Sequence, residues 1–199
     1  MAGEFRPFIG LGGTGPMYEI DARNSQPTLV AALAVRELGT HDAKQLAGVC
    51  GRGEFYEDLY EYTNSGRQLT PAERPLWKET VFGTVVYGTP KSHDSKIGKA
   101  FARAYPTVSK WIIDYKTENG TGALPCAMQR QEAKIWVDGL APELESRNIR
   151  AVTIHDSVLV HEADRDTVHK IVQGLYDAEG IAAKLEPRAV AIEPPGALQ

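Results

Sequence analysis

Cysteine is scarce in this sequence: Cys50 and Cys126 are the only two among 199 residues, and they lie far apart. Two isolated thiols build neither a disulfide framework nor a zinc site, so we expect both to be reduced. No apolar run approaches the ~20 residues that span a bilayer, and the N-terminus lacks the features of a signal peptide. We therefore expect a cytoplasmic protein with no membrane partner.

The chain also lacks an excess of positive charge, with a formal net charge of −4. This argues mildly against nucleic acid binding, which needs Lys and Arg for phosphate contacts. The charge is uneven, however, because Lys and Arg outnumber Asp between Lys91 and Lys116. An enzyme that holds metal ions must also gather carboxylates, so a mildly acidic total does not exclude a nucleic acid polymerase.

A glycine-rich segment from Gly10 to Gly15 formally matches the dinucleotide-binding fingerprint. That fingerprint requires a strand before it and a helix after it. Here the next segment, Met17–Asp21, has the pattern of a strand. The sequence therefore does not favour a dinucleotide-binding fold.

Apolar spacing predicts strands toward both ends of the chain and helices between them. Strands are expected at 17–21 and 182–185, with a β-hairpin at 149–160. Helices are expected at 27–38, 95–104, 108–117, 126–144 and 164–178. Short helices are expected within 41–70, and a further helix is expected to start at a Thr70 cap. In the helix at 126–144, Ala133, Trp136, Val137 and Leu140 form an apolar stripe, and Gln129 is expected to point inward with it. The Pro-rich end, 191–199, is expected to be a flexible tail.

Two aspartates stand where strands end: Asp21 follows the first strand, and Asp156 lies at the tip of the hairpin. Carboxylates on separate strands of one sheet can converge on divalent ions, and Mg²⁺ prefers such oxygen ligands. The simpler interpretation is that Asp21 caps the helix after it and Asp156 supports a turn, since Asp is common in both positions.

Four segments together resemble the motifs of A-family nucleic acid polymerases, in the family's order. Tyr18–Gln26 resembles motif A, Arg74–Gly88 resembles motif B, Ala127–Ala133 resembles the segment before motif C, and Ile154–Ser157 resembles motif C. The resemblance implies an α+β fold, with a small antiparallel palm sheet and a helical fingers insertion. The expected divisions are 1–40 for the start of the palm, 41–122 for the fingers, 123–190 for the rest of the palm and 191–199 for the tail.

The resemblance implies a template-directed nucleotidyltransferase with DNA polymerase activity, acting in DNA replication. Asp21 and Asp156, aided by the backbone carbonyl of Ala22, would bind two Mg²⁺ ions and so be both metal ligands and catalytic residues. Gln129 and His155 would contact the nucleic acid at the primer terminus. The expected partners are a primed DNA or RNA template and nucleoside triphosphates.

For the incoming nucleotide, the resemblance implies four binding residues: Arg74, Lys78, Tyr87 and Gln26. Lys78 and Arg74 would neutralise the triphosphate, and Tyr87 would stack on the nascent base pair; Lys78 and Tyr87 are also the catalytic residues implied in motif B. In the family this lysine and tyrosine are eight residues apart, but here they are nine apart. Nine residues place them on opposite faces of a regular helix. Either the helix bulges by one residue near Gly83, or Lys78 is not the functional equivalent.

Sugar specificity stays open. No glutamate follows Ser25-Gln26, and Ser157 stands after the His-Asp pair, as in phage-type single-subunit RNA polymerases, whereas Phe82-Gly83 is similar to DNA polymerases. No segment resembles a thumb, so we expect a reduced, split or truncated enzyme, with a second subunit supplying the thumb. Two alternatives remain: a non-catalytic nucleic-acid-binding remnant, and an unrelated metal-dependent phosphohydrolase that uses the same two aspartates.

Overall fold

The computed structural model describes residue 11 and residues 15–190 of the chain. Within that range it confirms the predicted α+β class, with one four-stranded sheet and a larger number of helices. None of the described helices has the length and apolar character needed to cross a membrane. Cys50 is buried, Cys126 is exposed, and both are free thiols. The predicted tail at 191–199 lies outside the described residues.

The sheet is built around a hairpin, as predicted. Its strands are β1 (Met17–Arg23), β2 (Ala151–Ile154), β3 (Ser157–His161) and β4 (Lys184–Val190), in the spatial order β2-β3-β1-β4. Strand β3 pairs antiparallel with both β2 and β1. Strand β1 follows the glycine-rich segment directly, so the helix that a dinucleotide fingerprint requires is replaced by a strand.

Nine α-helices lie within the described residues. They are α1 (Ser25–Leu38), α2 (His41–Gly51), α3 (Phe55–Thr63), α4 (Arg74–Val81), α5 (Lys96–Ala104), α6 (Pro106–Asn119), α7 (Ala123–Ala133), α8 (Leu140–Ser146) and α9 (Arg165–Ala178). Short 3₁₀ turns cover Pro90–Asp94 and Glu162–Asp164. Two further helical segments, Phe82–Val86 after α4 and Lys134–Gly139 between α7 and α8, have the wider π-helical turn.

Local chemistry sets the ends of two helices, at Gly39 and at Ser95. Helix α1 stops at Gly39, which takes a φ of 63° and donates its N–H to the carbonyl of Val35. Helix α5 starts at Ser95, whose hydroxyl accepts the N–H of Gly98 at 3.1 Å. The predicted cap at Thr70 is wrong: its hydroxyl donates to Glu73 at 2.6 Å, and α4 begins only after this turn.

The predicted long helix is present as α7, a π-helical segment and α8 in unbroken succession. Its predicted apolar stripe is only half correct, because Trp136 and Leu140 are buried while Ala133 and Val137 are exposed. A π turn holds one more residue than an α turn, so side chains before and after it no longer share one regular period.

The chain folds as two compact units. Of the described residues, the first unit contains those up to Arg23, then Glu132–Glu179, and those from Leu185 onward; the second contains Asn24–Gln131 and Gly180–Lys184. The first unit holds nearly all of the sheet with α8 and α9, and its core includes the Trp136–Tyr176 pair. The second unit holds α1 to α7. The assignment of these units to palm and fingers stays a prediction.

Candidate active site

In the first unit, the hairpin brings the two predicted metal ligands to the same end of the sheet. Asp21 lies directly opposite Ser157 in the β1–β3 pairing, and Asp156 precedes Ser157 in the hairpin turn. The N–H of Ala22 donates to the carbonyl of Asp156 at 3.1 Å. Asp21 therefore does not cap helix α1, whose N-cap is Asn24; it lies within a strand beside the turn that carries Asp156.

The carboxylate of Asp21 already has a cationic neighbour. Nη2 of Arg188, on β4, donates to Oδ2 of Asp21 at 2.8 Å. The Asp21 side chain is 22% exposed and the Arg188 side chain 56% exposed, so the pair is only partly shielded from water. A metal ion that used this oxygen would compete with the guanidinium for it. Sequence reasoning missed Arg188, because it is 167 positions from Asp21.

A third carboxylate, Glu132, lies near the hairpin turn and was also missed. Burial raises the pKa of Glu132, the negative charge of Asp156 raises it further, and His155 opposes the shift. These influences place Glu132 within electrostatic range of both turn residues. Its position in the segment that resembles the one before motif C was the available signal.

The other residues predicted for this region differ in exposure. Ala22 is buried, and His155 is exposed in the turn with a φ of 53°. Gln129 lies on α7 in the second unit and is exposed, so the prediction that it points inward is wrong. The inward positions of α7 are instead Leu124, Met128 and Gln131, set by the helical phase before the π turn.

The donor atoms at this end of the sheet suit a hard cation. Asp21 and Asp156 offer carboxylate oxygens and Ala22 offers a backbone carbonyl, which are ligand types that Mg²⁺ takes, usually beside water and substrate phosphates. Across residues 15–190, no three His, Cys, Asp or Glu side chains cluster closely enough to hold a metal ion by themselves.

In the second unit, the helix that resembles motif B carries a one-residue bulge. This is one of the two alternatives that the nine-residue spacing of Lys78 and Tyr87 left open. Helix α4 passes into the π-helical segment Phe82–Val86, and the N–H of Tyr87 donates to the carbonyl of Phe82 at 2.9 Å, five residues back. With one residue absorbed in the wide turn, the separation of Lys78 and Tyr87 behaves as eight, or about 80° around the helix. The two side chains therefore share one side of the helix.

Aromatic rings connect these residues into a continuous row. Nζ of Lys78 lies 5.8 Å from the ring centroid of Phe82, and the rings of Phe82 and Tyr87 are 6.1 Å apart with an edge-to-face tilt. Arg74 and Lys78 both approach the ring of Tyr56, at 5.6 Å and 5.9 Å. Arg74 and Lys78 thus lie on one helix face, as their spacing of four predicts.

Two members of the row have specific polar partners. Nε of Arg74 pairs with Oε1 of Glu57 at 2.8 Å, with both side chains about one-third exposed. The hydroxyl of Tyr87 donates to Oε1 of Gln26 at 2.7 Å. All four predicted nucleotide-binding residues therefore lie in the second unit, and the structure joins Tyr87 directly to Gln26.

Helix α5 has a cationic face in the same unit. Lys96, Lys99 and Arg103 follow one another at three and four positions, so they fall within about 60° of arc, and all three are exposed. The opposite face carries Gly98 and Phe101, both buried. Helix α5 contains no acidic residue, and Lys96 also bonds Oδ1 of Asn64 at 3.1 Å. This face accounts for part of the basic excess between residues 91 and 116.

No protein-family model matches the chain, and no curated protein matches it. Among solved structures, the chain is similar to the POL domain of Pol1 from M. smegmatis, solved in complex with DNA primer-template and dNTP, with a TM-score of 0.65 and 12% identity. The similarity covers 93% of this chain and 41% of that chain. At this identity the likeness shows the fold alone, which is similar to that of this POL domain.

Proposed function

We propose that this chain is the palm-and-fingers part of a template-directed nucleotidyltransferase, in which Asp21 and Asp156 bind two Mg²⁺ ions. The observation that carries the proposal is the placement of these two aspartates beside each other at one end of the sheet. The fold shared with a DNA polymerase domain and the row from Arg74 to Tyr87 support it.

In the proposed reaction, the 3′-hydroxyl oxygen of a primer bonds to the α-phosphorus of a nucleoside triphosphate. The hydroxyl proton passes to solvent water, the bond from that phosphorus to the bridging oxygen breaks, and pyrophosphate leaves. Bound Mg²⁺ supplies a lowered pKa for the attacking hydroxyl and charge stabilisation for the leaving oxygen. Asp21 and Asp156 hold the ions, with the carbonyl of Ala22 as a further ligand.

The remaining residues bind and orient the substrates. Lys78 and Arg74 neutralise the triphosphate, which is the electrostatic help that phosphoryl transfer needs. To do so, Arg74 must either break its ion pair with Glu57 or contact the triphosphate and Glu57 at the same time. Tyr87 presents its ring, 42% exposed, to the nascent base pair, because aromatic rings stack on bases.

Nucleic acid contacts complete the proposal. Gln129 and His155 are both exposed, as primer-contacting residues must be. The cationic face of α5 offers sites for phosphates, whose neutralisation supplies most sequence-independent affinity. We propose a primed DNA template as the main partner, with the choice between deoxyribonucleotides and ribonucleotides set near Gln26. A second subunit that supplies a thumb stays a prediction.

Primer extension with Mg²⁺ tests the proposal, with dNTPs and NTPs supplied separately beside the variant Asp156→Asn. Asp138→Asn is the matched control, because Asp138 is an exposed carboxylate in the same unit. Template-directed extension that disappears only with Asp156→Asn establishes the polymerase and reveals its sugar preference. Retained primer-template binding without extension points instead to a non-catalytic remnant. Metal-dependent phosphate release without a template points to a phosphohydrolase.

A further inference from the structure

Lys116, on helix α6, is a buried charge that no part of the proposed chemistry uses. Only 2% of the residue is exposed. Burial lowers the pKa of its ammonium to about 8. The pKa of His93 is lowered mainly by burial of its imidazole ring, and the positive charge of Lys116 lowers it further. Burying an ammonium is costly unless strong hydrogen bonds compensate. Lys116 makes such hydrogen bonds to two backbone carbonyls.

Those bonds lie on both sides of Tyr87. Nζ of Lys116 donates to the carbonyl of Val85 at 2.8 Å and to the carbonyl of Gly88 at 2.9 Å. The carbonyl of Val85 belongs to the last turn of the π-helical segment Phe82–Val86, where backbone oxygens lack a following helical N–H and carry the negative end of the helix dipole. The carbonyl of Gly88 belongs to the bend that follows this segment. One ammonium group thus fixes the backbone two residues before and one residue after Tyr87.

Close packing limits the same turn from the other side. A Cβ placed on Gly88 would lie 2.2 Å from Oγ of Ser92 and 2.4 Å from the carbonyl of Gly83. Ser92 in turn donates its hydroxyl to the carbonyl of Thr84 at 2.8 Å. The turn after Tyr87 is therefore too tight for any residue but glycine, and its carbonyl oxygens are bound by side chains from later in the chain.

We propose that Lys116 is a positioning residue for nucleotide binding, which holds the backbone around Tyr87 so that the ring keeps one orientation. The inference rests on the proposed function, because it assumes that Tyr87 contacts the incoming nucleotide. Lys116 itself touches no substrate. It acts through the carbonyls of Val85 and Gly88, and loss of its ammonium leaves Tyr87 on a turn without that constraint.

The variant Lys116→Met tests the backbone part, because Met keeps the buried volume and removes the donor. Hydrogen–deuterium exchange on the full chain should show amides of residues 84–89 exchanging roughly tenfold faster, as expected when buried hydrogen bonds are lost. Lys110→Met is the matched control, since Lys110 lies on the same helix, is exposed and pairs with Asp114. Unchanged exchange at 84–89 would overturn the inference.

Nucleotide binding tests the functional part. In primer extension, Lys116→Met should raise KM for the dNTP about fivefold or more, with a smaller change in kcat, as expected when a preorganised contact is lost. The variant Lys116→Ala leaves space for n-propylamine, which should restore a low KM by returning the ammonium. A merely structural lysine would lower the amount of folded protein and leave KM unchanged, and that result would contradict the proposal.

Failure of the proposed function is separable from failure of this inference. A wild-type chain that never extends primers refutes the polymerase proposal. The role of Lys116 is then tested by equilibrium dialysis, which compares the affinity of the wild type and of Lys116→Met for Mg²⁺–dNTP. Weaker binding in the variant supports the inference. Equal binding, or faster exchange at 84–89 with no loss of nucleotide affinity, overturns it.

Discussion

The hydroxyl of Tyr87 donates a 2.7 Å hydrogen bond to Oε1 of Gln26, which joins the end of the motif B helix to the first turn of α1. The two residues are 61 positions apart, and the resemblance assigned nucleotide binding to each independently. An amide held in this way presents its NH₂ group in a fixed direction. The pair is therefore a candidate for the element that discriminates between sugars.

Replacing Tyr87 with Phe removes the hydroxyl and releases the amide of Gln26. A hydrogen bond of this kind contributes about 1 kcal/mol, so the ratio of kcat/KM for dNTP and NTP should move toward unity about fivefold. Single-nucleotide incorporation measures this ratio. Tyr62→Phe, at another exposed tyrosine, serves as the control. An unchanged ratio would separate Gln26 from sugar selection.

The cationic face of α5 should set part of the salt dependence of DNA binding. Each of Lys99→Gln and Arg103→Gln should weaken primer-template binding and reduce the slope of log K against log salt by roughly one. Fluorescence anisotropy across a salt series measures both quantities. Lys110→Gln removes an equal charge from α6 and should leave the slope nearly unchanged. Equal effects at all three positions would mean that α5 has no special part.

Removing Arg188 should strengthen metal binding. Its guanidinium occupies an oxygen of Asp21, and an exposed pair of this kind is worth about 0.5–1 kcal/mol, so Arg188→Gln should tighten Mn²⁺ binding roughly two- to fivefold. Titration followed by electron paramagnetic resonance measures the change. Arg150→Gln is the control, at an exposed arginine ahead of β2. Weaker metal binding in Arg188→Gln would instead make Arg188 a support for Asp21.

Acid should destabilise the second unit through Asp42. Burial acts to raise the pKa of Asp42, but hydrogen bonds from Thr107, Thr40 and Val108 outweigh it and lower the pKa to about 2. The carboxylate accepts the N–H of Thr107 at 2.8 Å and thereby caps the start of α6. Because the folded pKa lies below the unfolded value of 3.8, this stabilisation is complete above about pH 4 and disappears as the pH falls toward 2.

The variant Asp42→Ala should lower the free energy of unfolding by ~1–2 kcal/mol at pH 7. Urea denaturation at pH 7 and at pH 2.5 measures the loss, which should shrink at the lower pH as the wild-type carboxylate begins to take up its proton. Asp42→Asn, which keeps acceptor and shape but loses charge, should retain part of the stability. A loss of equal size at both pH values would exclude the linkage.

The sequence was sufficient for features that depend on local chemistry. The end of α1 before Gly39 and the hairpin that carries Asp156 follow from neighbouring residues. The pairing that puts Asp21 beside this turn joins strands far apart in the chain, and the resemblance implied it. The nine-residue spacing of Lys78 and Tyr87 predicted a one-residue helical bulge as one of two alternatives. Short-range rules decide such features because both partners lie within a few positions of each other.

Features that depend on distant partners or on a changed helical period could not be read from the sequence. Arg188 meets Asp21 through the pairing of strands far apart in the chain. Gln129 was placed on the buried side by extending the period of Trp136 and Leu140 backward, across a π turn that shifts it. The same spacing rule places Arg74 and Lys78 on one face within α4 and fails for the stripe that runs through the π-helical segment Lys134–Gly139.

The π turn at Phe82–Val86 also changes where the chain tolerates a difference in length. Insertions and deletions ordinarily accumulate in surface loops. Here one residue can be gained or lost inside a helix, since a wide turn absorbs it while Lys78 and Tyr87 keep their directions. A counterpart one residue shorter would present the same side chains from a regular helix, and the two sequences would align only with a gap in the middle of a secondary-structure element.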